Sequence, residues 1–178
     1  MHYNTNRTAF MRSCTCAFTG PGPSNIPLAG KKNAKAPACL ASEIENAIYQ
    51  AVSDGFRFFV SGGEIGCDLW CAQCVLALKR ERPELQLHFY LPCETQADDW
   101  PEHWRECYFD LLIASDYTTY IERRNTRECV IRRNRALVDA SSRLIAVYDG
   151  IEAVGGTAHT VGYAEKNGVY VHRLWPFD

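Results

Sequence analysis

The stretch "SGGEIGCDLWCAQC", Ser61 to Cys74, decides how this chain is to be read. Its first half, Ser61-Gly62-Gly63-x-x-Gly66, has the form of a tight turn whose backbone N–H groups can meet an oxyanion, because glycine leaves room for the approach. Its second half, Cys67-x-x-x-Cys71-x-x-Cys74, has the spacing of three thiolates around an iron–sulfur cluster. The surrounding apolar residues choose between these readings. Cys67, Trp70, Cys71, Cys74, Val75 and Leu78 recur at three- and four-residue steps, the stripe by which a helix packs on a sheet. A cluster-binding trio sits instead on an irregular loop. No second Cys-x-x-Cys or His-x-x-x-His supplies a zinc set, and Cys14-x-Cys16 would share one side of a strand. The cysteines are therefore expected to be core residues, with no metal and no cofactor.

Working outward, apolar runs alternate with helical patterns. "CTCAF" (Cys14–Phe18), "FRFFV" (Phe56–Val60), "LQLHFYL" (Leu85–Leu91), the weaker "DYTTYI" (Asp116–Ile121), "RLIAVYD" (Arg143–Asp149) and "VYVHRL" (Val169–Leu174) read as strands. Helices are expected from Leu40 with a cap near Ser42, from Cys67 to Arg82, from Pro101 to Ala114, from Thr126 to Ala140, and from Gly155-Gly156-Thr157 to Asn167. The Pro21–Pro37 stretch, with Pro, Gly, Ser, Asn and lysines, reads as a long loop. Strand–helix alternation predicts an α/β fold: one Rossmann-like domain over residues 14–178, with a mostly parallel sheet of about six strands and helices on both faces, preceded by a flexible N-terminus over residues 1–13.

The 178 residues suffice for one core, and 47% hydrophobic content places the chain among globular proteins. A formal net charge of −2 argues against a surface devoted to nucleic acid, although it leaves room for a local basic patch. No run reaches the ~18 apolar residues of a membrane span. "MHYNTNRTAFMRS" lacks an apolar signal core, so the expected setting is cytoplasmic, with the nine cysteines reduced.

Ligands of open α/β sheets bind beyond the carboxyl ends of the strands. Three glycine turns fall at such ends: Thr19-Gly20, Ser61-Gly62-Gly63-x-x-Gly66, and Gly155-Gly156-Thr157, with Thr160 one turn further. A helix N-terminus behind such a turn favours phosphate. Asp68 could accept from a ribose hydroxyl or simply favour the helix dipole, and Glu94 has a similar ambiguity. Neither Gly-x-x-x-x-Gly-Lys-Ser/Thr nor Gly-x-Gly-x-x-Gly is present. Between Arg123 and Arg135 lie six arginines. Val130, Asn134, Leu137, Val138 and Ser141 would form a buried face, with Asn134 and its neighbour Arg133 directed to the ligand crevice. The arginines are either an exposed helix face, a phosphate clamp or a backbone patch for nucleic acid.

"SGGEIGCDLWCAQCVLALK", "LPCETQADDW" and "RRNRALVDASSRLIAVYDG…GGTAHTVGYA" together resemble the YpsA-like proteins of the SLOG superfamily, which also holds the LOG phosphoribohydrolases and DprA. The resemblance implies a Rossmannoid fold, a nucleotide-derived ligand over Thr19, Gly20, Gly62, Gly63, Asp68, Arg133, Asn134, Gly156 and Thr157, and a homodimer. This chain reads Gly20-Pro21-Gly22-Pro23 where YpsA-like chains carry Gly-His-Arg-Pro. It also lacks the carboxylate that LOG enzymes place just after Gly-Gly-x-Gly-Thr. The leading expectation is thus a nucleotide binder or sensor with no assigned reaction. The alternatives are a LOG-like nucleoside 5'-monophosphate phosphoribohydrolase, with Asp68, Glu94, Asp139 and Arg133 as candidate catalytic groups, and a DprA-like single-stranded nucleic-acid binder using the arginine segment.

Overall fold

The computed structural model describes residues 9–27, 35–123, 126–151 and 155–177. Six strands, β1 (Thr15–Thr19), β2 (Phe58–Ser61), β3 (Gln86–Leu91), β4 (Tyr117–Tyr120), β5 (Arg143–Val147) and β6 (Tyr170–Leu174), lie in the order β4-β3-β2-β1-β5-β6. Every pairing is parallel. The intervening helices are α1 (Ala38–Ser53), α2 (Cys67–Lys79), α3 (Glu102–Ala114), α4 (Arg127–Asp139) and α5 (Gly156–Lys166). The expected Rossmann-like α/β architecture is the observed one.

Burial follows from which helix covers which strand. All five residues of β1 are buried because both faces of this central strand are covered. On one face Cys16, Phe18, Phe59, Leu87 and Phe89 join α1, α2 and α3. On the other, Ala17, Val60, Leu144 and Ala146 meet Leu137 and Val138 of α4 and Val161 and Ala164 of α5. That second layer serves the β1–β5–β6 half. Gln86, His88 and Tyr90 of β3 are accordingly only half-buried, and edge strand β4 is exposed throughout.

Helix α2 lies between α1 and α3 and over β1, β2 and β3. Its buried surface is therefore wider than a stripe and includes Asp68, Leu69 and Ala72 beside Cys67, Trp70, Cys71, Val75 and Leu78. Burial drives the Cys67 and Cys71 thiols well above the ordinary cysteine range and Cys74 to about 12, the state of packing residues rather than nucleophiles. Among the described residues, no group of three His, Cys, Asp or Glu side chains is disposed to hold a metal ion, and no helix is long and apolar enough to cross a membrane.

Several element ends differ from expectation, among them the end of α2, which stops at Lys79 instead of Arg82. Helix α1 starts at Ala38 behind Pro37, whose fixed φ of −53° leads into a helix without a side-chain cap, so Ser42 is interior. Strand β2 starts at Phe58, because Gly55 N and Phe56 N still close the end of α1 on Val52 O and Ala51 O. Of the N-terminus expected to be flexible, residues 9–13 form a helical turn tied down by Arg12 Nε donating to Ser141 O at 3.1 Å; residues 1–8 lie outside the described residues. So do residues 28–34 of the Pro21–Pro37 loop, and Arg124. Trp70 is 2% exposed and its ring centroid lies 6.2 Å from that of Trp104. Trp70→Ala should cost roughly 3–5 kcal/mol, measured as a lower urea midpoint with an unchanged slope.

Candidate functional site

The strand order reverses direction between β1 and β5, so the turns after these two strands face each other across the crevice where open α/β sheets take ligands. The β2–α2 turn lies alongside. The three glycine turns do different work there, and the neighbours of each glycine show why.

At Gly20 the demand is packing. A Cβ would stand 2.5 Å from Cys67 Cβ and 3.1 Å from Val147 Cβ, so the glycine lets the end of β1 press against the start of α2. In the β2–α2 turn the demand is also internal. A Cβ on Gly62 would lie 2.6 Å from Asp68 Oδ2 and closer still to the Arg133 guanidinium. Gly63 N donates to Ser61 Oγ at 3.2 Å, while Ser61 Oγ donates to Asp68 O at 3.0 Å. Glu64 N donates to Asp68 Oδ2 at 3.4 Å, and the Gly62 backbone also bonds this carboxylate. The concavity expected to cradle a phosphate thus holds the chain's own carboxylate.

Arg133 closes the arrangement from α4. It is 3% exposed, its Nη1 donates to Gly62 O, and it lies 3.8 Å from Asp68 Oδ2 and 3.5 Å from Glu64 Oε2. Gln96 approaches from the loop after β3, donating through Nε2 to Gly63 O at 3.0 Å. Desolvation raises the Asp68 pKa to about 6 against the opposing pull of Arg133, with Glu64 adding to the rise.

Helix α4 divides its polar residues between two places. Arg133 is buried beneath the β2–α2 turn, whereas Asn134 is half-buried and faces α5. The expectation that the pair shares one crevice, with Asn134 on the buried face, is corrected here: consecutive helical residues diverge by about 100°, and the buried polar residue is Arg133. Asn134 lines a groove of about 630 Å³ between α4 and α5. Arg127, Ile131, Arg135, Gly155, Gly156, His159, Thr160, Tyr163 and Lys166 also face it. Gly155 has φ 142°, a conformation that favours glycine. Gly156 differs from Gly20 and Gly62, because a Cβ there would meet nothing within 4 Å among the described residues. Arg127, Arg135 and Lys166 form no ion pair among the described residues, while Arg135 lies 5.4 Å from the Tyr163 ring centroid. Thr160 Oγ1 is turned back to Gly156 O at 2.8 Å, and Thr157 is half-buried.

The model of the YspA SLOG family (YpsA) matches residues 16–173. The chain belongs to this family. The chain is similar to the UPF0398 proteins of Bacillus cereus (strains B4264 and G9842), each 29% identical over 154 residues and covering 85% of this chain and 83% of the relative. The UPF0398 protein of Bacillus thuringiensis (strain Al Hakam) matches at the same identity and coverage. Among solved structures, DNA processing protein A from Helicobacter pylori, described for its single-stranded DNA binding mode, superimposes with a TM-score of 0.61 at 15% identity, over 94% of this chain and 67% of that one. At that identity the likeness is one of fold.

Of the candidate catalytic groups in this SLOG chain, Asp68 and Arg133 meet beneath the β2–α2 turn. Glu94 is exposed on the loop after β3, and Asp139 accepts from the Tyr163 hydroxyl at 3.0 Å, at the far end of α4. Gln96, His159, Tyr163 and Lys166 were not among the expected site residues, whereas Arg127 lies in the arginine segment for which a phosphate clamp was one expectation. Gln96 sits in an aperiodic loop where no spacing marks it as buried, and the others carry no motif. Gly62→Ala should destabilise the SLOG fold by about 1–3 kcal/mol through displacement of Arg133, whereas Gly156→Ala should leave the urea midpoint within error. Because the folded state raises the Asp68 pKa above its ordinary 3.8, the native state holds this proton more tightly than the unfolded chain. Stability relative to Asp68→Asn should therefore decline as pH rises from about 4 to 6, by roughly 3 kcal/mol in all, and level off above. Paired urea titrations across that range read the slope.

Proposed function

We propose that this SLOG chain binds a nucleotide or nucleotide-derived anion, with a phosphate at the amino end of α5 and the remainder along the α4–α5 groove. The observation that carries the reading is Gly156. It is a glycine at the first position of an 11-residue helix, no described residue stands within 4 Å of where its Cβ would be, and it opens onto a groove with three cations unpaired among the described residues. Free N–H donors and the helix dipole favour an anion at such a point, and Arg127 lines the same groove. Further down, Ile131 and Tyr163 offer apolar and aromatic surface to a base, with Arg135 over the Tyr163 ring.

Binding is favoured over hydrolysis because the carboxyl with a pKa near neutrality, Asp68, does not line this groove. The same three cations support a second reading, a single-stranded nucleic-acid backbone, in line with the single-stranded DNA binding of the Helicobacter pylori neighbour.

Native mass spectrometry with adenosine monophosphate tests the proposal and reads the subunit count in the same spectrum. One nucleotide per chain is expected, weakened about tenfold by Arg127→Gln and also by the fold-neutral Gly156→Ala. Equal binding by both variants and the parent would sink it. Binding to a single-stranded oligonucleotide that weakens steeply with salt, without mononucleotide binding, would favour the second reading.

A further inference from the structure

The side-on edge of a guanidinium, Nε with Nη2, presents two parallel N–H donors that match the two oxygens of a carboxylate or phosphate. In Arg133 this edge is incompletely used. Nη1 is committed to Gly62 O, on the other side of the group. Nη2 has the Glu64 carboxylate at 3.5 Å, well beyond the ~2.8 Å of a tight charge-assisted bond. Nε is buried and has no hydrogen-bond partner among the described residues. Buried groups of this kind normally find partners.

The two carboxylates that face Arg133 are not equivalent. Asp68 is buried and held by backbone N–H groups of the turn. Glu64 is 41% exposed in its side chain and makes only the loose contact. It can swing into water at little cost, whereas Asp68 cannot.

We propose that Glu64 is a built-in occupant of an oxyanion subsite on the Nε–Nη2 edge of Arg133, displaced when a phosphate or carboxylate group of a ligand takes that edge. The exchange replaces one anion by another, so the buried arginine stays neutralised, and it supplies partners to both N–H groups. The subsite lies on the β2–α2 turn, apart from the α5 terminus. It deepens the proposed function only in sharing that reading's ligand class, an anion.

The test is a titration of inorganic phosphate into the uniformly ¹⁵N-labelled full chain and into Glu64→Gln, following the Arg133 Nε–Hε resonance. Glu64→Gln should bind phosphate on the order of tenfold tighter than the parent, since one like charge is gone from the subsite, and the Arg133 resonance should move with saturation. Glu43→Gln, the same charge change on the exposed side of α1, should bring no gain. No gain in Glu64→Gln, a gain matched by Glu43→Gln, or a gain that leaves Arg133 Nε–Hε unmoved would each overturn the proposal. If adenosine monophosphate binds and Glu64→Gln changes nothing, the subsite falls and the nucleotide reading stands. If Glu64→Gln gains phosphate while no nucleotide binds either protein, the reverse holds.

Discussion

A buried arginine is the constraint around which the carboxyl edge of this sheet is arranged. Arg133 reaches from α4, on one face, to the carbonyl of Gly62 at the end of β2 and so ties the second helical layer to the turn that launches α2. A guanidinium in that position is tolerable only with anions beside it, and removing one partner of a buried pair typically costs about 3–5 kcal/mol. The surrounding residues follow from that demand. Gly62 must lack a side chain to admit the guanidinium, Asp68 must be acidic although it is 6% exposed, and the turn's N–H groups must point inward to hold Asp68.

That solution separates two roles that glycine turns usually combine. The β2–α2 turn is polar and rich in glycine because it encloses a charge pair. In the α5 turn, Gly155 is favoured by its φ of 142°, whereas Gly156 has no described neighbour that a Cβ would meet. The N–H donors of the β2–α2 turn are committed to Ser61 Oγ and Asp68 Oδ2.

The strand–helix alternation and the packing role of the α2 cysteines were legible in the sequence, because both rest on periodicity, which survives any detail of packing. What periodicity cannot resolve is the purpose of a small residue. Gly20, Gly62 and Gly156 look alike on paper, since each is an absence, and only the atoms nearby distinguish a glycine that admits Cys67 from one that admits Arg133 or solvent. The same limit explains the exchange of Arg133 and Asn134. They are adjacent in sequence, one step of helical phase separates them, and the apolar residues around them leave that phase ambiguous by one position. Gln96 was hidden for another reason: its burial comes from a loop folding over Gly62 and Gly63, a contact across more than thirty residues.

The position of β1 carries a consequence for how the chain assembles. Its neighbour β2 arrives after a single helix, with Cys16 beside Phe59, but its other neighbour is β5, where Cys16 meets Arg143. The first strand made is therefore central in the finished sheet, yet one of its edges must wait until most of the chain exists. The β1–β2–β3 half closes short loops and can form early, whereas β5 and β6 must find a long-open edge against a larger loop-closure entropy. Arg133 is synthesised in that late half and is anchored in the early one. Its insertion beneath Gly62 thus belongs to the step that joins the halves, so the charge pair at the carboxyl edge of the sheet is completed only when the sheet itself is.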